Sequence, residues 1–139
     1  MASGIFLPAL RAAAIGNIDY DTDSFKVMLV TSAYTPDFDL HDFRNDVTNE
    51  VTGTGYTAGG AAATVTVNAV DTANNRLDIT LGGASWGGST ITARGAVYYK
   101  SRGGAATADE IIAYIDFGAD VSTTSGTFTL GASILRTSL

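Results

Sequence analysis

From Ala63 onward the chain alternates apolar and polar residues in short runs separated by glycine, and that pattern constrains the fold more than anything else in it. Thr64-Val65-Thr66-Val67-Asn68, Arg76-Leu77-Asp78-Ile79-Thr80-Leu81, Ile111 and its successors to Phe117, and Thr127-Phe128-Thr129-Leu130 all repeat with period two. A period of two puts one side of each strand into a core and the other into water, which a helix cannot do. The run Phe25-Lys26-Val27-Met28-Leu29-Val30-Thr31 differs. It is apolar on both faces after Lys26, so it predicts a central strand covered on both sides.

The strands predicted from these runs number about six, spread over residues 25–31, 63–70, 76–81, 90–100, 110–117 and 127–135. The fold class is therefore all-β, an antiparallel sandwich or barrel. Residues 63–70 and 76–81 flank Asp71-Thr72-Ala73-Asn74-Asn75 and read as a hairpin. Gly95 is a candidate bulge, and the glycine-rich stretch around Trp86 is a loop or a bulged edge. Two short helical pieces complete the outline. Residues 8–15 begin with proline, contain Ala12-Ala13-Ala14 and stop at Gly16-Asn17, with Leu7, Leu10 and Ala14 expected to dock on a sheet. A helical turn is expected at residues 41–47 with Asp39 as cap, followed by an irregular surface excursion at residues 50–60.

A chain of 139 residues with 45% hydrophobic and 16% charged residues fits one β-rich domain spanning residues 1–139. Within it, residues 1–10 are a candidate extended arm. The net charge of −6 and eight dispersed Lys and Arg residues disfavour a nucleic-acid partner, which requires a basic stripe. No apolar run approaches the ~20 residues of a membrane-spanning helix, and the apolar residues 5–10 lack the basic flank of a signal peptide. A soluble chain without a membrane partner is expected. The absence of cysteine removes disulfides and thiolate metal sites and suits assembly in a reducing cytoplasm.

No constellation of residues supports catalysis, and no enzyme is expected. Gly83-Ala84-Ser85-Trp86-Gly87 has the spacing of a nucleophile elbow, but the sole histidine, His41, precedes the serine and no helix follows. Gly55 and Gly60 have the spacing of a phosphate loop, yet Ala61 and Ala62 stand where lysine and a hydroxyl residue would be. Asp37, Asp39, His41, Asp42 and Asp46 crowd one segment without the ligand order of a calcium loop. Neither a cofactor nor a metal is expected. The remaining candidates for function are contact residues: Tyr98 and Tyr99, which point to opposite faces of one strand so that at most one should join the core, and the Phe6-Leu7 pair.

The segment Arg44-Asn45-Asp46-Val47-Thr48-Asn49-Glu50-Val51-Thr52-Gly53-Thr54-Gly55-Tyr56-Thr57-Ala58-Gly59-Gly60-Ala61, with Phe25 to Thr31 before it and Ile112-Ala113-Tyr114-Ile115-Asp116-Phe117-Gly118 after it, resembles a family of small virion structural proteins of tailed bacteriophages. The resemblance runs over nearly the whole chain, and Gly-Tyr-Thr-x-Gly-Gly is its most distinctive mark. It implies a virion protein and transfers no catalytic residue. Together with the small, acidic, β-rich character of the chain, it points to a capsid decoration (cement) protein on the head surface, assembled in the bacterial host cytoplasm. The implied partners are the major capsid protein and copies of the chain itself, as a homotrimer by similarity to other cement proteins. Ile5, Phe6, Leu7 and Leu10 would form the arm that reaches a neighbour, with Tyr56, Trp86, Tyr98 and Tyr99 as further contact residues. Two alternatives stay open: a tail, neck or head-fibre component, and an adhesin module displaying Trp86 and Tyr56 to glycans.

Overall fold

The computed structural model describes residues 2–139. In chain order the elements are β1 (Gly4–Ile5), α1 (Leu7–Ala14), β2 (Phe25–Val30), a 3-10 turn (Arg44–Asp46), β3 (Ala61–Ala63), β4 (Val65–Val67), β5 (Arg76–Leu81), β6 (Ala84–Ser89), β7 (Thr92–Lys100), a second 3-10 turn (Ala106–Ala108), β8 (Ile111–Ser122), β9 (Gly126–Leu130) and β10 (Ser133–Ser138). The fold is all-β with one short helix, and every strand pair is antiparallel.

The doubly apolar run predicts a central strand, and β2 is one. It lies between β7 and β3 in a five-stranded sheet of order β1-β8-β7-β2-β3. Alternation sends Val27 and Leu29 to one face and Met28 and Val30 to the other, and all four are buried. Both faces are covered. On one, Tyr98 is fully buried and its hydroxyl donates to the Gly82 carbonyl at 2.7 Å. On the other, Tyr99 is equally buried and donates to the Gly59 carbonyl at 2.5 Å, while Tyr34 packs edge-on against Tyr114. The expectation that only one of Tyr98 and Tyr99 enters the core is thus corrected, because β7 is an interior strand of a covered sheet.

The amino-terminal stretch does not extend away from the body. Gly4 and Ile5 pair with Tyr114 and Ala113 of β8, and Phe6, fully buried, caps the start of α1 against the aromatic rings of Phe38 and His41. The helix docks through Ala9 and Ala12, whereas Leu7, Leu10 and Ala14 face outward. The predicted docking face is therefore the solvent face: small residues bring α1 close to the sheet, and the leucines are left outside. The stop at Gly16-Asn17 stands, with the Asn17 N–H donating to the Ala12 carbonyl at 2.8 Å.

Several predicted strands are divided. Residues 63–70 split at Thr64, so that β3 ends the five-stranded sheet and β4 begins a separate three-stranded sheet of order β10-β5-β4. Residues 127–135 split at Gly131, sending β9 to pair with β6 and β10 to pair with β5. The stretch around Trp86 is a true strand, bulged between Trp86 and Ser89. Gly95 sits at a larger irregularity: Ala93 pairs with Val121 and Gly95 with Asp116, so residues 117–120 of β8 loop out opposite Arg94. A side chain at Gly95 would meet the Tyr114 ring at 2.6 Å, so the strand passes under that ring only as glycine.

The helical turn at residues 41–47 is present as the 3-10 turn, but Asp39 does not cap it. Asp46 does, its Oδ2 accepting from the Asp42 N–H at 2.9 Å, while Asp39 lies inside a preceding turn capped by Asp37. Residues 50–60 are no loose excursion either. Where β3 ends, this segment takes over the free edge of β2: the Thr31 N–H donates to the Asn49 carbonyl at 3.0 Å and the Val51 N–H to the Leu29 carbonyl at 2.9 Å.

Candidate interaction surface

Sorted by burial, the predicted contact residues fall into two groups. Phe6, Tyr98 and Tyr99 are core, and Ile5 is half-buried in the β1–β8 pairing. Trp86 is only 6% exposed, edge-on to Phe128 and tilted against Tyr56. These aromatics are consumed by the protein's own interior, which supplies the hydrophobic stabilisation that short, glycine-rich strands need. Leu7 and Leu10 alone remain available, 52% and 49% exposed.

Tyr56 has a different task. Its hydroxyl donates to Glu50 Oε2 at 2.7 Å and accepts the Leu29 N–H at 3.0 Å, while the Gly59 N–H donates to the same Glu50 oxygen at 2.7 Å. A side-chain oxygen thus fills the place that a neighbouring strand's carbonyl would take beside β2. Burial, together with the Glu50 carboxylate, pushes the Tyr56 hydroxyl far above the ordinary tyrosine value, so it stays protonated and keeps its donor. The Asn-Glu-x-x-Gly-x-Gly-Tyr segment is therefore a latch that closes the sheet edge. A glycan could not stack on Trp86 or take the Tyr56 hydroxyl without opening that latch.

A second latch holds the other end of β7. Asp109, buried, accepts Arg44 Nε at 2.9 Å and the Arg102 N–H at 2.9 Å, and the Arg44 guanidinium lies 5.2 Å from the centre of the Tyr99 ring. Arg102 in turn forks onto Glu110 with bonds of 3.0 and 2.8 Å. These charges position loops, and Glu110 also borders an open cleft beside α1.

The residues weighed for chemistry are dispersed. Ser85 lies on the β6 ladder opposite Thr129, and His41 shares a hydrogen bond with the Tyr34 hydroxyl at 2.9 Å. Two of the aspartates of residues 37–46 are spent on the local backbone, Asp46 Oδ2 as above and Asp37 Oδ1 accepting the N–H groups of Asp39 and Leu40, each at 3.1 Å. Burial and the adjoining Asp46 carboxylate push Asp42 up, whereas Asp46, despite the same desolvation, is held low by the backbone N–H groups of Asp42 and Phe43. Among the described residues, no three His, Cys, Asp or Glu side chains are placed to hold a metal ion.

The exposed large apolar side chains other than Val121 fall in two places. The first is the outer side of α1, with Leu7, Leu10 and Ile15 exposed, together with Leu40, 74% exposed. The Leu7 N–H donates to the Phe38 carbonyl at 2.8 Å, which ties the two segments together, and between them a cleft lined by Pro8, Arg11, Asp39, Asp42 and Phe43 opens to solvent.

The second is the three-stranded sheet. Its register places Val65 beside Leu81, Val67 beside Ile79 and Leu135, and Leu77 beside Thr137, all on one face. Leu81 is buried and Val65 and Leu135 pack against the core, but no other named element makes more than marginal contact with this sheet. Its outer half, with Val67 38% exposed and Val70 and Leu139 still more so, is uncovered. The signal is the alternation of residues 76–81, whose apolar side reads from sequence as core-facing along its whole length. Compared with protein-family models, curated proteins and solved structures, the chain matches none.

Proposed function

We propose that the chain is a virion structural protein of a tailed bacteriophage that decorates the head shell as a homo-oligomer. The bacteriophage attribution rests on the resemblance of residues 44–61 and their flanking strands. The observation that carries the role is the pairing of two separate, exposed apolar surfaces with a scaffold whose Tyr98, Tyr99, Tyr114 and Trp86 are all engaged internally. A decoration protein needs one surface for the shell and another for its neighbours, mounted on a body that does not deform. The α1 side, with Leu7, Leu10, Ile15 and Leu40, fits the first need: its partner is the major capsid protein, and burying it removes apolar area from water at about 25 cal/mol per Å². Such contacts are modest singly and become long-lived when oligomerisation links several of them.

Electron microscopy of particles made with and without the gene tests this. The expected result is density of many copies on the shell that vanishes with the gene and thins in a Leu7→Glu, Leu10→Glu variant that melts normally. Density confined to the tail or neck at a handful of copies, with an unchanged shell, would refute it in favour of a tail or neck component.

A further inference from the structure

We propose that β10 is the seam along which two copies of this chain join, antiparallel and in register about Leu135, to make one six-stranded sheet. The strand is an open edge: β5 pairs with it on one side and, among the described residues, nothing pairs with it on the other. Edge strands of this length ordinarily carry a guard against pairing, namely an uncompensated charge (most often lysine), a proline, a bulge or an inward charge. Ser133-Ile134-Leu135-Arg136-Thr137-Ser138 carries none. Its one charge, Arg136, is forked onto Asp78 of its own sheet with bonds of 2.8 and 2.9 Å.

The occupant is a second copy because of charge. Residues 64–82 and 133–139 contain two arginines and two aspartates, so this sheet is neutral, whereas the rest of the chain holds six basic and twelve acidic residues. Two molecules of net charge −6 repel wherever their bodies meet, and the three-stranded sheet is where that repulsion is weakest. Length argues for β10 against itself. The other open edge, β4, has three residues against six, so a β10-to-β4 contact would leave half of β10 unpaired and would propagate into a filament.

The faces then set the register. Pairing about Leu135 puts Leu135 beside its own copy, Ile134 beside the partner's Arg136, and Ser133 beside the partner's Thr137. The apolar row of Val67, Ile79 and Leu135 continues across the axis without interruption. A shift of one residue would place Leu135 and Arg136 on the same face and break that row. Pairing about Arg136 would set like charges directly opposite.

This deepens the decoration reading and rests on its homo-oligomer, with a twofold join in place of the threefold assembly that the resemblance implies. The test uses the full chain and measures mass in solution together with cross-linking. Because the chain has no cysteine, single cysteines report cleanly. Directly opposite residues in an antiparallel pair lie about 4.5–5.5 Å apart at Cα, within the roughly 4.4–6.8 Å that a disulfide spans. Leu135→Cys should cross-link to itself, Ser133→Cys should cross-link to Thr137→Cys when the two are mixed, and Ser133→Cys alone should not. Ile134, 52% exposed, can be changed without opening the core. Ile134→Lys, facing the partner's Arg136, should weaken the pair at least tenfold, and Ile134→Glu should preserve or tighten it.

A wild-type chain that is monomeric at its highest soluble concentration, or a pair affected equally by Lys and Glu, would overturn the proposal. A monomer that still coats isolated phage heads overturns only this join. A β10-linked pair that ignores heads overturns only the decoration.

Discussion

Replacing Tyr56 by phenylalanine removes one oxygen atom, and the structure specifies what that atom holds. The N–H of fully buried Leu29 loses its acceptor, and Glu50 Oε2 loses one of its two donors. A buried N–H left without a partner costs about 1–3 kcal/mol, and a hydrogen bond to a charged acceptor contributes about 1.5–3 kcal/mol. Glu50 is half-exposed, so water recovers part of the second term, and the sum comes to about 2–4 kcal/mol. For 139 residues, an unfolding entropy of about 2.1 cal/mol/K per residue converts this to a melting temperature lower by about 7–14 °C. Thermal and urea denaturation measure the global loss, and hydrogen exchange should show the Leu29 amide losing protection first. Tyr20 supplies the control. It is half-buried and stacked on Phe25, but among the described residues no hydrogen bond engages its hydroxyl, so Tyr20→Phe should cost less than about 0.5 kcal/mol. If Tyr56→Phe costs no more than Tyr20→Phe, the latch does not close the β2 edge and the reasoning fails.

Acid should destabilise the protein, with one opposing group. Asp23, Asp46 and Asp78 titrate below the ordinary value of 3.8; Asp23 is held by the Asp19 N–H and Lys100 against its burial, and Asp78 by Arg136. A carboxyl lowered by folding contributes stability that is present above 3.8 and lost as pH falls through its folded value, so melting temperature should drop steeply on going below that point. Asp42 is raised, mainly by burial, so its contribution is present when protonated and lost as pH rises. Asp42→Asn should therefore raise the melting temperature at pH 7 and leave it unchanged at pH 3. Gly60→Ala is expected to prevent folding outright: φ there is +79° and a Cβ would overlap the Val27 carbonyl, a backbone atom that cannot give way. Circular dichroism of the purified variant would show it, and a native spectrum would refute the assignment.

The sequence makes the β2 run legible as a central strand because the absence of a polar face needs no partner to interpret. The turn at Gly16-Asn17, the β4–β5 hairpin and the irregularity at Gly95 are legible for similar reasons, since each depends on residues near in sequence. What could not be read is which sheet a strand joins. Residues 61–67 look continuous, and only the edge of β2 on one side and β5 on the other divide them at Thr64. Periodicity likewise could not show which face of α1 docks. The leucines look like the buried stripe, but the close approach of the helix admits only Ala9 and Ala12. The contact residues went astray in the same way, because aromatic character marks both interfaces and interiors, and the burial of Tyr98, Tyr99 and Trp86 depends on partners remote in sequence.

The pairing of Gly4–Ile5 with Ala113 and Tyr114 also has a consequence for biosynthesis. On the ribosome, β1 has no place in the sheet until more than a hundred further residues have been added, an interval of roughly 5–20 s at ordinary elongation rates of about 5–20 residues per second. During that time the nascent chain carries Phe6, Ala9 and Ala12 without the core that later buries them. Sheet closure waits on its most distant partner and becomes a slow, late step for which trigger-type chaperones would compete.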